Sequence, residues 1–196
     1  MTDLILRFIL FSFVHSLLAT DSVKSRVQRH FMHANRFYRL FYNILAVASF
    51  CWVAAALPDS HILYAVSGLP KHLFHCIQFC SLILLLVCAA RTGLSEFIGL
   101  KQIMSHQAGT PGFIRSGCYA FVRHPQYSLA MLLLLSAPAV TEKYACLTVM
   151  TILYLILGGG IEESRLRREF GDAYLRYQAE VPMFIPRIFS LTGKRT

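Results

Sequence analysis

Gly117-Cys118-Tyr119-Ala120-Phe121-Val122-Arg123-His124-Pro125-Gln126-Tyr127 opens onto an apolar run, residues 127–140, and a second apolar run, 144–161, ends in Glu162-Glu163. Only Thr141-Glu142-Lys143 joins the two runs. A hairpin that tight returns the chain to the side it came from, so Arg123 and His124 meet the acidic pair at one face of a membrane. Ionisable groups at a membrane boundary are costly unless paired or used, and this cluster is therefore the candidate functional site.

The rest of the chain supports a membrane setting. Its 196 residues are 56% hydrophobic and 15% charged, against about a quarter charged in ordinary soluble domains. Mean hydropathy is +0.52, and the apolar residues fall in runs. Five segments follow: 4–19, 37–57, 72–90, 127–140 and 144–161. A straight helical span needs about 20 residues, so the first, fourth and fifth are short, and the last two make sense as a hairpin with the site recessed. Pro138 falls near its turn, where a lost backbone hydrogen bond does least damage. The expected fold class is all-α, a polytopic membrane helix bundle of about five transmembrane helices. One integral-membrane domain, 1–196, divides into three amino-terminal helices (1–90) and a core (91–187).

Charge sets the orientation. Lys and Arg number 19 against 10 acidic residues, a net charge of +9. The basic residues crowd alternate loops: Lys24, Arg26, Arg29 and Arg36; then Arg91, Lys101, Arg115 and Arg123; then the tail from Arg165. Lys71 and Lys143 stand in the others. That alternation places the amino terminus outside and the tail in the cytoplasm, with the basic loops against lipid headgroups. Nucleic acid is excluded as a partner, since no surface interleaves aromatic and basic residues. The first segment lacks the basic start of a signal peptide, Asp3 preceding Arg7, and is read as a retained helix. The six cysteines suggest neither a disulfide framework nor a zinc pattern and read as small packing residues; no metal is expected. Residues 91–121 carry five glycines and Pro111 and form a loop too long for a mere connector. Beyond Glu162, Leu166, Phe170, Tyr174 and Tyr177 recur at helical spacing, the pattern of an amphipathic carboxy-terminal helix.

Pro125 suits the first turn of a helix, which puts Arg123 and His124 at its mouth, where free backbone donors receive an anion. The plain alternative makes Arg123 an interfacial anchor. Gly158-Gly159-Gly160 before the acidic pair either admits another group close to the backbone or loosens the helix. Glu162 and Glu163 point about 100° apart on a helix. One can bind a hydroxyl pair or a cation while the other pairs with Arg123 or Arg167, or both face solvent.

The ordered set Gly117-x-Tyr119, Arg123-His124-Pro125-x-Tyr127, apolar hairpin, Glu162-Glu163, Leu166, Phe170-Gly171, Tyr174, Tyr177, Val181-Pro182 and Pro186 resembles the integral-membrane methyltransferase superfamily. Its types are isoprenylcysteine carboxyl methyltransferase and the phospholipid N-methyltransferases. Residues 97–102, 181–186, His15-Ser16 and 38–43 look more like the bacterial branch that includes methanethiol S-methyltransferase. The chain departs from the superfamily pattern at Leu129, where glycine is usual, with Ala130 the nearest small residue.

The resemblance implies a cytoplasmic site for S-adenosylmethionine built from Tyr119, Arg123, His124, Pro125, Tyr127, Glu162 and Glu163. His124 and Glu163 would be the residues of catalysis, and the acceptor a small thiol or a lipophilic molecule. It also implies a bacterial inner membrane. His15, Tyr38 and Arg39 are candidates for the acceptor side of the cavity, or plain interhelical partners. The alternative function is a non-catalytic membrane protein that retains the fold. A nicotinamide-dependent reductase lacks its Gly-x-Gly-x-x-Gly loop, and His72 with His75 makes a poor haem pair.

Overall fold

Four apolar segments become helices long enough to cross a membrane, and one becomes a short helix that reaches only part of the way. The computed structural model describes residues 1–30, 34–58, 60–91 and 113–187. The elements are α1 (Thr2–Ala19), the basic helix α2 (Asp21–His30), α3 (Ala34–Ala54), β1 (Ile62–Ala65), α4 (Leu69–Arg91), a 3-10 turn (Gly117–Ala120), α5 (Pro125–Leu135), β2 (Ala139–Thr141), α6 (Glu142–Phe170) and α7 (Asp172–Glu180). Helices α1, α3, α4 and α6 contain the four candidate spans. Most of their apolar side chains, among them Leu6, Phe13, Phe79, Leu153 and Leu157, face outward, as helices do when the solvent is hydrocarbon. The glycine-rich stretch 92–112, with the 97–102 likeness, lies outside the described residues.

The fourth segment departs from expectation. The run 127–140 reads as one helix, yet α5 begins at Pro125 and stops at Leu135. Pro138 bars the helical conformation to its neighbour, and the chain becomes extended. β2 then pairs antiparallel with β1, Tyr64 opposite Val140 and Ala65 opposite Ala139. The pairing satisfies backbone groups that would otherwise be left bare at the membrane. Residues 142–162 of α6 rise about 30 Å. α5 supplies about 16 Å of the matching height, and the extended stretch 136–141 makes up the rest. A short helix and a strand thus bring Pro125 level with Glu162. α6 starts on a cap, the Thr141 hydroxyl accepting from the Tyr144 amide at 3.2 Å. The same end is tied down by Glu142 N–H donating to His61 C=O at 3.0 Å.

Two clusters hold the molecule. Leu4, Phe8, Val53, Ala56 and Leu147 join α1, α3 and α6. Tyr174, Tyr177 and Val181 join α7 to the segment after it, packed against Phe113, Leu166 and Phe170. α5 packs chiefly along α4. Cys88 at the end of α4 and Cys118 in the 3-10 turn form a disulfide, their Cα atoms 6.2 Å apart. Read as packing residues, both cysteines lie in apolar surroundings far apart in sequence, which concealed their pairing.

The glycine triplet does not loosen α6, which continues unbroken to Phe170; Gly171, at φ +52°, ends it. Its role is close approach. A Cβ at Gly159 would stand 2.8 Å from Met183 Cε and 3.1 Å from Phe184 Cζ, whereas one at Gly158 or Gly160 would meet nothing within 4 Å. The segment 181–184 therefore lies directly on the helix at Gly159. Gly159→Leu is expected to cost about 1–3 kcal/mol by overpacking, and Gly158→Ala to be neutral or slightly stabilising, in thermal unfolding of detergent-solubilised protein. Equal effects of the two substitutions would refute the close approach.

Candidate active site

Arg123 organises the site. Its side chain is 11% exposed, and its Nε donates to Glu163 Oε1 at 2.6 Å, with Glu163 only 8% exposed. Its Nη1 donates to the carbonyls of Gln178, at 3.0 Å, and Val181. Gln178 Nε2 donates to the second Glu163 oxygen at 2.7 Å. The charge on each side is thus matched, and Nε, Nη1 and both carboxylate oxygens are hydrogen-bonded, the kind of pairing under which a buried pair is tolerated. The backbone runs alongside: Arg123 N–H donates to Pro182 C=O at 2.9 Å and His124 N–H to Met183 C=O at 3.1 Å. Ser128 Oγ donates to Phe184 C=O at 2.7 Å. The carboxy-terminal strap is in this way stitched across the start of α5.

Pro125 occupies the first turn of α5 and His124 its cap position. Beside them lies a cavity of about 450 Å³, walled by Tyr119, Arg123, His124, Pro125, Tyr127, Glu162, Phe113, Tyr174 and Tyr177, with Arg39, Arg165 and Glu169 at its margins. That volume falls in the small-molecule range of about 300–1,000 Å³. Glu162 keeps 36% of its side chain exposed there, with one oxygen 3.5 Å from His124 Nδ1 and accepting from the Tyr127 hydroxyl at 3.0 Å. The His124 and Tyr127 rings stack at 5.2 Å. His124 Nε2 is buried without a hydrogen bond; it lies 3.3 Å from Glu163 Oε1 but not in line with it. The Tyr177 hydroxyl holds the 3-10 turn through Tyr119 C=O at 2.6 Å.

Burial raises the Tyr119 phenol above its usual value, and the neighbouring Glu162 carboxylate adds to the effect. Burial pushes Tyr177 up to about 12 despite the opposing pull of Arg123. Burial, and then Glu163, does the same for Tyr174, again to about 12. All three stay neutral donors at physiological pH.

Of the residues singled out in the sequence, Tyr119, Arg123, His124, Pro125, Tyr127 and Glu162 share the cavity wall. Glu163 does not reach it: it lies behind, engaged with Arg123 and Gln178. Arg39, Tyr174 and Tyr177 also wall the cavity; of these the sequence tied only Arg39 to it. Gln178 and Ser128 had no signal at all, because their roles depend on a strap whose path is set by tertiary packing.

No family model matches the chain, and no solved structure matches it. Methanethiol S-methyltransferase 1 of Bradyrhizobium diazoefficiens is 35% identical over 95 residues, 46% of this chain and 33% of that protein. The methanethiol S-methyltransferase of a Pseudomonas species, strain GM41(2012), is 28% identical over 103 residues, 50% of this chain and 40% of its own. That of Pseudomonas deceptionensis is 28% identical over 109 residues, 54% of this chain and 42% of its own. The matches thus span less than half the length of the curated relatives.

The two glutamates should separate in a stability measurement. Glu163→Ala strands a buried guanidinium and is expected to cost about 3–5 kcal/mol. Glu162→Ala, whose carboxylate opens to the cavity, should cost under about 1 kcal/mol. Thermal unfolding in detergent reads both, and the reverse order would contradict the arrangement.

Proposed function

We propose that this chain is an S-adenosylmethionine-dependent methyltransferase of the membrane, and that it methylates a small thiol. The observation that carries the reading is one aromatic cavity that brings the Glu162 carboxylate, the His124 imidazole 3.5 Å from it and the start of α5 together. A methyl donor with an α-carboxylate, an α-ammonium, a ribose diol and a sulfonium asks for that combination.

The residues present fit the group. The free first-turn amides of α5, with the dipole behind them, suit the carboxylate, beside the His124 ring that lines the cavity. Glu162 suits the ammonium or the diol. Tyr119, Tyr127 and Phe113 provide faces for adenine and, by cation–π attraction, for the sulfonium. The donor supplies an activated methyl group. The chain's own contribution is alignment, which alone is worth up to about 7–11 kcal/mol, and exclusion of water. Arg123, in the wall, and Glu163, behind it, fix where His124 and the strap stand.

The acceptor class rests on the likeness to methanethiol S-methyltransferases, and a lipophilic thiol fits the same site. The basic ends of α2 and α6 support a cytoplasmic location for the cavity, and the relatives' sources support a bacterial inner membrane. Detergent-purified protein is expected to bind S-adenosylhomocysteine with micromolar affinity in calorimetry, weakened at least about tenfold by His124→Ala or Glu162→Ala. No binding by folded wild-type protein would overturn the reading.

A further inference from the structure

A second polar array lies deeper between the helices. His15 of α1 contacts two tyrosines from different helices: Nδ1 lies 2.8 Å from the Tyr154 hydroxyl of α6 and Nε2 lies 2.6 Å from the Tyr42 hydroxyl of α3. Ser16 Oγ adds a contact to Tyr154 at 3.0 Å. One interhelical hydrogen bond would suffice to lock a packing arrangement. Here the imidazole is held through both nitrogens, which makes a continuous O–H···N and N–H···O chain. Nearby on the same two helices, the hydroxyls of Ser12, Thr148 and Thr151 are buried with no partner. Polar groups in that state call for a further polar occupant of the seam.

The array lies on the helix face that carries Glu162 to the cavity. Tyr154, Gly158 and Glu162 follow one another at four-residue intervals along α6, and a Cβ at Gly158 would meet nothing within 4 Å. Tyr42 lines a second cavity of about 240 Å³, and Arg39 lines both cavities.

We propose that Tyr154, Tyr42 and His15 form the acceptor end of the site and take the proton of a neutral thiol ahead of methyl transfer; this rests on the methyltransferase reading above. The acceptor sulfur bonds to the methyl carbon as the donor's carbon–sulfur bond breaks, its electron pair staying on the donor sulfur. The thiol proton passes to Tyr154 Oη as the Tyr154 hydroxyl proton passes to His15 Nδ1. The imidazolium, donating to both tyrosines, later releases the proton to water. Tyr154 is the group that touches the acceptor, and His15 is a positioning and proton-storing residue behind it. A neutral alkyl thiol is a poor nucleophile, so the array matters most for acceptors that are not already ionised.

The test uses Tyr154→Phe and His15→Gln in the full chain, with three readouts. Calorimetry with S-adenosylhomocysteine should be unchanged from wild type within about twofold. With methanethiol, kcat should fall about 100-fold or more; with thiophenol, largely ionised just above neutral pH, it should fall less than about threefold. Ultraviolet difference spectra of the ternary complex with S-adenosylhomocysteine and methanethiol should show thiolate absorbance in wild type and none in the variants. Equal losses on both thiols, no loss on methanethiol, or no thiolate in wild type would overturn the inference. Failure of wild type to bind S-adenosylhomocysteine would instead remove the methyltransferase reading and this inference with it.

Discussion

A single buried ion pair fixes the geometry on which everything else depends. Arg123 and Glu163 meet at the start of α5 with little exposure to water, and such a pair survives only if its remaining hydrogen-bonding capacity is filled. Gln178 and the carbonyls of residues 178 and 181 fill it. The consequence is long-range. The guanidinium fastens α6, the end of α7 and the strap to one another, and two backbone hydrogen bonds then lay the strap over the mouth of α5. Gly159 lets the Met183 and Phe184 side chains close onto α6, a Cβ there standing 2.8 Å from Met183 Cε and 3.1 Å from Phe184 Cζ.

With that frame in place, adjacent glutamates take opposite parts. A helix turns them about 100° apart, so when one is locked inward the other must face the cavity. Glu163 is locked to Arg123 and Gln178, and Glu162 opens to the cavity. The same logic accounts for the tyrosines. Tyr177 and Tyr174 are buried deeply enough to remain neutral, and they support the 3-10 turn and the aromatic wall without adding charge. The cavity thus keeps the Glu162 carboxylate beside the His124 imidazole at a helix start.

Much of this was legible in the residues. Long apolar runs gave three spans closely. Pro125 marked the start of α5, and the spacing of Arg123, His124, Tyr127 and Glu162 located one wall. Three things were not legible. The end of α5 was misplaced because Ala137, Ala139 and Val140 are as apolar in a strand as in a helix, and only pairing with β1 decides between them. The glycine triplet left open whether it loosened the helix or admitted a neighbour, since the neighbour is a strap more than twenty residues on. The division of labour between Glu162 and Glu163 depends on Gln178, whose sequence context carries no signal. Cys88 and Cys118 likewise pair through the packing of α4 against the 3-10 turn.

The central claim is that the methyl donor occupies the cavity between the start of α5 and Glu162. Ultraviolet cross-linking of radiolabelled S-adenosylmethionine to the detergent-purified protein, followed by peptide mapping, tests it most directly. The account predicts label confined to peptides carrying Tyr119, Tyr127 and Glu162 to Tyr177, and abolished by excess S-adenosylhomocysteine. Label spread evenly along the chain, or concentrated in the lipid-facing part of α4 and indifferent to the competitor, would contradict it.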